Sequence, residues 1–345
     1  MTNYNSNNER VKREYFTYQQ EAKQKSAITI NGIRKAIARY EEYTGYKDFG
    51  TFNRKQAAGF KKTLASLTNK RTGEVMSKSS LLGTVNALKD FFLWLAYQKG
   101  YKTKIDILEI EYLNLSEKDV RAAKQPKFKD YPTLEQIRQV IFSMPTNTEV
   151  ELRNRALIAF AVLTGARDMA IASLKLKHIK LEKELVIQDP NEVKTKFSKR
   201  IFTWFFPVGD DIKQIVIDWV QYLRTKKLYG NNDPLFPRTA LKHDENQSFT
   251  AAGLETQHWN TTTPIREIFR EAFERVGLDY FNPHSFRNTL VNLGEQLCKN
   301  PEDFKAWSQN LGHEHVLTTF TSYGYVDPNR QGDVIKRIGK ESSKL

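Results

Sequence analysis

His284-Ser285-Phe286-Arg287, then Leu311-Gly312-His313, Thr318-Thr319 and Tyr323, bring two histidines, an arginine and a tyrosine into about forty residues near the end of this 345-residue chain. Asn282-Pro283 breaks the chain just before His284, and the spacing predicts a helix over 285–298 with Leu290, Leu293 and Leu297 on one face. Upstream, Leu152, Ala156, Leu157, Ala159, Phe160, Val162 and Leu163 read as a mostly buried helix over 151–163 that ends at Thr164-Gly165, so Arg167 falls on the turn that follows. Between these segments lies Lys194-Thr195-Lys196-Phe197-Ser198-Lys199-Arg200. The apolar runs 185–187 and 201–206 flank it, which reads as a hairpin with a basic turn. Residues 211–228 read as a further helix, and Thr133 with Gln136 has the spacing of a capping box opening another.

These residue types suit phosphodiester chemistry without a metal. A tyrosine hydroxyl can conserve the bond energy in a covalent link, although its free pKa near 10 calls for positive charge close by. Arginine forks bind phosphate oxygens in pairs, and two from separate segments can clamp a transition state as metal ions do elsewhere. A lysine can protonate the departing oxygen, and histidines can hydrogen-bond the phosphate or exchange protons. Taken in order, Arg167, the hairpin lysine, His284-x-x-Arg287, His313 and Tyr323 resemble the catalytic set of the tyrosine recombinases, the phage-integrase family. The motifs cover the C-terminal two-thirds; over the N-terminal third only the architecture is similar. For the lysine, Lys196 beside the Phe197-Ser198 turn leads, with Lys194 close behind and Lys199 third.

The sequence departs from the family pattern at three places. Ala170 stands where the family commonly has an acid three residues after the first arginine, leaving Asp168 as the nearby carboxylate. The interval from His313 to Tyr323 is one residue longer than usual, with Ser322 in the expected place and Tyr325 as an alternative nucleophile. The hairpin offers several lysines rather than one. His178, His243, His258 and His315 are expected to have no catalytic role.

The N-terminal third reads as helices over 28–43, 54–67 and 79–98, the last capped by Ser79 or Ser80 and ended by Gly100, with Phe91-Phe92-Leu93-Trp94 in its core. Residues 113–132, polar, basic and broken by Pro126 and Pro132, read as a linker. The expected organisation is a helical DNA-binding bundle over 1–112, the linker over 113–132 and a catalytic domain over 133–345 with a tail from about 327. The fold class is mainly α with a small antiparallel β-sheet or hairpin, an α+β catalytic domain behind a helical bundle. The net charge is +14, and residues 1–130 hold 25 Lys and Arg against 14 Asp and Glu. That bias suits a polyanion. No apolar run reaches membrane-spanning length. The polar start Met1–Asn8 lacks the apolar core of a signal peptide, and the bundle begins almost at residue 1, leaving little room for an extra arm-binding domain. One cysteine, Cys298, excludes an internal disulfide framework and reads as a small buried residue in a helix.

The resemblance implies a site-specific recombinase that cuts and rejoins double-stranded DNA through a 3′-phosphotyrosine and a Holliday junction, with no cofactor, metal or ATP. It implies four protomers in the synapse, no membrane, and a cytoplasmic location. The tail after Tyr323, weakly amphipathic through Val334, Ile335 and Ile338, would dock on a neighbour. A type IB topoisomerase-like nicking enzyme, a regulator that has lost catalysis, and a metal nuclease are the competing readings. The last lacks a carboxylate cluster in the right place.

Overall fold

The computed structural model describes residues 4–68, 73–125, 130–195, 199–243 and 249–313, with the isolated Gly332. Lys196, His315, Tyr323, Tyr325 and the proposed tail apart from Gly332 lie outside the described residues, as do residues 126–129 of the linker. The chain forms two units, Met1–Gln125 and Pro126–Leu345.

The first unit contains α1 (Ser6–Thr17), α2 (Ala27–Thr44), α3 (Arg54–Ser66), α4 (Lys78–Ala96) and the short α5 (Ile107–Ile110) and α6 (Glu117–Lys124). Each long helix starts where a side chain satisfies a free backbone amide: Asn5, Ser26, Asn53 and Ser77 cap α1 to α4. The cap of α4 is thus Ser77 rather than Ser79 or Ser80, and the helix stops at Ala96, before a turn that reaches Gly100. Its core is aromatic. Phe91 and Phe92 are fully buried, and Phe92 meets Tyr40 edge-on with ring centroids 5.2 Å apart. Within the stretch read as linker, Ser116 caps α6, and Lys78 Nζ lies 2.8 Å from Asp119 Oδ1, tying that helix back to α4. The prolines marked the end of this unit, but the polar residues before them form a solvated helix supported by the Arg121–Glu117 pair one turn apart.

The second unit follows with α7 (Leu134–Ser143), α8 (Glu149–Thr164), α9 (Asp168–Ile171), β1 (Ile179–Lys180), β2 (Leu185–Gln188), β3 (Ile201–Trp204), α10 (Asp210–Thr225), β4 (Thr239–His243), β5 (Phe249–Leu254), α11 (Thr263–Arg275), α12 (Phe286–Leu297) and α13 (Pro301–Asn310). Thr133 and Thr148 open α7 and α8 with reciprocal capping boxes. Ala156 through Thr164 are all buried, so the last two turns of α8 are covered on every face and run through the core. Strands β1, β2 and β3 form an antiparallel sheet in that order, with Leu185 opposite Trp204 and Gln188 opposite Ile201. A second hairpin, β4–β5, was not foreseen; its strands lack clean alternation and carry a register shift between Ala240 and Leu241. On α12, Leu290 is buried and Leu293 partly so, but Leu297 is 47% exposed because the helix ends there. Cys298 is the half-buried cap of that helix rather than a buried interior residue. Burial and the nearby Asp303 push its thiol pKa up. No described helix is long and apolar enough to cross a membrane.

Candidate active site

Three motif segments, distant in sequence, meet at one side chain. Arg287 sits in the first turn of α12 and is 2% exposed. Its Nη1 donates to the Gly165 carbonyl at 2.6 Å, its Nη2 to the Leu311 carbonyl at 2.6 Å and to His313 Nε2 at 2.8 Å. A guanidinium has only donors, so Nε2 of His313 is the acceptor and the imidazole hydrogen belongs on Nδ1. The two carbonyls adjoin Ala166-Arg167 on one side and Gly312-His313 on the other. Arg287 therefore fixes the segment of the first arginine and that of the second histidine against its own helix.

Local backbone explains why these turns lie where they do. Gly165 ends α8 in the left-handed conformation (φ +58°), with its amide bonded to the Ala161 carbonyl at 2.9 Å. A Cβ there would approach Leu311 Cδ2 to 2.9 Å and Leu290 Cδ1 to 3.0 Å. Arg167 comes two residues later, half-buried, as the N-cap of α9. Ala170 is buried, at 1% exposure. Asp168 does not replace the missing acid in any simple way: Arg266 Nη2 and Nε donate to its Oδ2 at 2.7 and 3.1 Å, and the Met169 amide to its Oδ1 at 2.9 Å.

His284 stands just ahead of the helix that carries Arg287. His284 lies in the tight turn Pro283–Ser285 that precedes α12, with its amide on Asn282 Oδ1 at 3.0 Å, and it is exposed while Arg287 is buried. His313 is 7% exposed, its amide on the Ser308 carbonyl at 3.2 Å. Asn310, one turn earlier, locks the end of α13 onto the edge strand β3: it donates to the Trp204 carbonyl at 2.9 Å and accepts from the Trp204 amide at 2.7 Å. A cleft of about 450 Å³ runs between β3 and the end of α13, with Lys199, Phe202, Trp204, Gly312 and His313 among its walls. Lys194 is exposed on the arm leaving β2. Thus Arg287 bonds His313 directly and holds the turn that leads to Arg167, while Lys196 and Tyr323 are outside the described residues. Asn310 and Arg266 escaped sequence reasoning, since nothing local to either marks its distant partner.

The phage integrase family model matches residues 133–330. Among curated proteins, the chain is 22% identical to tyrosine recombinase XerC of Lactobacillus delbrueckii subsp. bulgaricus over 72% of each chain. It is 23% identical to tyrosine recombinase XerD of Neisseria meningitidis serogroup B over 70% of this chain and 71% of that one. Among solved structures, a lambda integrase dimer bound to a COC′ core site matches with TM-score 0.60 at 14% identity, covering 92% of this chain and 95% of that one. The XerH site-specific recombinase bound to a palindromic difH substrate matches with TM-score 0.59 at 17% identity, covering 94% and 82%. The chain belongs to the phage integrase family and is a tyrosine recombinase, an enzyme of site-specific DNA recombination.

Proposed function

We propose that this recombinase cuts and rejoins duplex DNA at a specific site through a 3′-phosphotyrosine intermediate, using neither metal nor ATP. One observation carries the reading: the Arg287 guanidinium bonds at once to the carbonyl two residues before Arg167, to the carbonyl two residues before His313, and to His313 itself. The His313 side chain and the backbone that leads to Arg167 are thereby held by a single buried group. Arg167 and Arg287 would neutralise the non-bridging oxygens, and His313, with its hydrogen on Nδ1, would donate a further hydrogen bond. Tyr323 Oη would attack phosphorus while His284 takes the phenolic proton, and a hairpin lysine, Lys196 or Lys194, would protonate the departing 5′ oxygen. The freed 5′-hydroxyl would attack a partner duplex, giving a Holliday junction that a second round resolves. Four protomers would act together in the cytoplasm, residues 1–112 and 133–345 closing on the DNA and the tail from about 327 docking on a neighbour.

Trapping tests this. The protein is incubated with nicked duplexes spanning the DNA that flanks its own gene, and any DNA-linked peptide is mapped by mass spectrometry. An adduct on Tyr323, absent in Tyr323→Phe, is the expected result. An adduct on Tyr325 moves the nucleophile and keeps the class. Binding without any adduct favours the silent regulator, and relaxation of plasmids lacking a site favours the topoisomerase-like enzyme.

A further inference from the structure

Helix α1 runs on into a π-turn over Tyr18–Ala22, closed by the Lys23 amide on the Tyr18 carbonyl at 3.1 Å and the Lys25 amide on the Gln19 carbonyl at 3.0 Å. Such turns are rare and recur at functional sites. This one lies across from the end of α4 at a cleft of about 610 Å³, the size of a small-molecule site. Gln19 lines the cleft at 4% exposure, and its Oε1 is buried without a hydrogen-bond partner among the described residues. The Tyr15 hydroxyl, one turn earlier and fully buried, lies near it, yet the two close no hydrogen bond. Unpaired buried polar atoms are costly and few in folded proteins. Aromatic rings supply the rest of the wall. Tyr18 and the half-buried Trp94 stack with centroids 6.0 Å apart, and Tyr97, just past α4, is 65% exposed.

Lys23 Nζ stands over the Tyr18 ring, 5.5 Å from its centroid, so the chain itself fills the place that an aromatic cage would give to a cationic ligand. What remains is the open face of Tyr97 for a planar ring, Gln19 Oε1 and the exposed Asp90 carboxylate as acceptors, and the ammonium groups of Lys23 and Lys25 for an anion. Among the common nucleobases, guanine presents two N–H donors side by side, on N1 and N2. We propose that this cleft binds a guanine nucleotide. The base lies against Tyr97 and Trp94, its N1 and N2 hydrogens go to Gln19 Oε1 and Asp90 between them, and its phosphate meets Lys23 and Lys25. Every one of these groups belongs to the first unit, whereas Arg167, Arg287 and His313 belong to the second, and the inference does not rest on the recombinase reading. A free nucleotide and an unpaired guanine of DNA offer the same chemistry.

The test titrates the full-length protein with guanosine 5′-monophosphate, read by tryptophan fluorescence and calorimetry. Inosine 5′-monophosphate, which lacks the N2 amino group, and adenosine 5′-monophosphate should each bind about tenfold or more weakly, since a buried acceptor then goes unpaired. Guanosine, without the phosphate, should bind more weakly and with less dependence on salt. Gln19→Leu and Tyr97→Ala should each weaken guanosine 5′-monophosphate about tenfold or more. Asp90→Asn should narrow the preference for guanine over adenine. Tyr97 and Asp90 are exposed, so their variants carry the test if Gln19→Leu does not fold. A duplex with one extrahelical guanine, set against the same duplex fully paired, separates the two sources. A preference for the bulged duplex that Tyr97→Ala abolishes assigns the site to DNA, and nucleotide binding without that preference assigns it to a free nucleotide. Equal affinity for the three monophosphates would reduce the cleft to a phosphate contact and overturn the proposal. Affinity unchanged in both Tyr97→Ala and Asp90→Asn would overturn it as well. So would a folded wild type that binds none of these probes, the outcome expected if water alone satisfies Gln19.

Discussion

At the scale of one residue, Arg287 bears on both chemistry and stability. Its donors meet two buried main-chain carbonyls and one imidazole, a pattern that a planar fork can satisfy and a point charge cannot. Arg287→Lys keeps the charge but leaves at least one buried carbonyl without its donor, a loss of about 1–3 kcal/mol. We expect the variant to lose about 2–4 °C of Tm for each kcal/mol in a unit of this size, and to trap little or no covalent adduct. An unchanged melting temperature with full adduct would contradict the role assigned to the fork. His178 supports a pH prediction. Burial lowers its pKa below the ordinary 6.5, against the raising effect of Glu192, with Lys177 and Lys175 adding to the depression. The folded protein then binds the proton less readily than the unfolded chain, so stability falls as pH drops below 6.5. Glu192 acts in the same direction at lower pH. Hydrogen bonds from Lys177 first, then His178, hold its pKa at about 2, and its stabilisation is lost as pH falls from 4.5 toward that value. Denaturant melts between pH 7 and about 5 should show a shallower decline for His178→Gln than for the wild type.

At the scale of the element, α8 and its exit decide where Arg167 stands. Gly165→Ala forces a left-handed alanine, costing about 1–2 kcal/mol, and brings its methyl against Leu311 and Leu290. Both the Leu311 segment and α12 belong to the knot around Arg287, so we expect a lower melting temperature together with a lowered rate of adduct formation. A stability loss with no change in rate would show that the cap supports the fold alone. Helix α8 was legible in the sequence because its period and its Thr-Gly exit agree. The β2–β3 hairpin was legible because two apolar runs bracket a basic turn. Hairpin β4–β5 was not, since its strands have no alternation to read. The site was legible only as an ordered list of residue types. The bond from Arg287 to Gly165 joins residues 122 apart, and no local pattern announces which carbonyl a distant guanidinium will meet. His284 stands outside α12 for a local reason: Asn282-Pro283 breaks the chain into a tight turn, and the helix begins only at Phe286.

At the scale of the molecule, charge is divided unevenly along the chain. Residues 1–130 carry a formal balance of +11 out of the total +14, and residues 51–104 contribute 11 basic side chains against Glu74 and Asp90 alone. On α3, Lys55 and Lys62 are exposed and lie two turns apart on one stripe, while the opposite side buries Ala57, Phe60 and Leu64 in the core. Such lysines read no base edges; they displace counterions from phosphates and position the protein. If this surface contacts DNA as the proposed function requires, the logarithm of the binding constant should fall with the logarithm of salt concentration, by about 0.9 for each phosphate neutralised. The double variant Lys55→Gln/Lys62→Gln should then lower that slope by about 2 and weaken binding to specific and unrelated duplexes alike. Its melting temperature should stay within about 2 °C of the wild type, since substitutions on a solvated helix face rarely move stability by more than about 0.5 kcal/mol. An unchanged slope would place the DNA-contacting charge elsewhere in the chain. Loss of affinity for the specific duplex alone would mean that α3 reads sequence, which two flexible ammonium groups with no planar fork are poorly built to do.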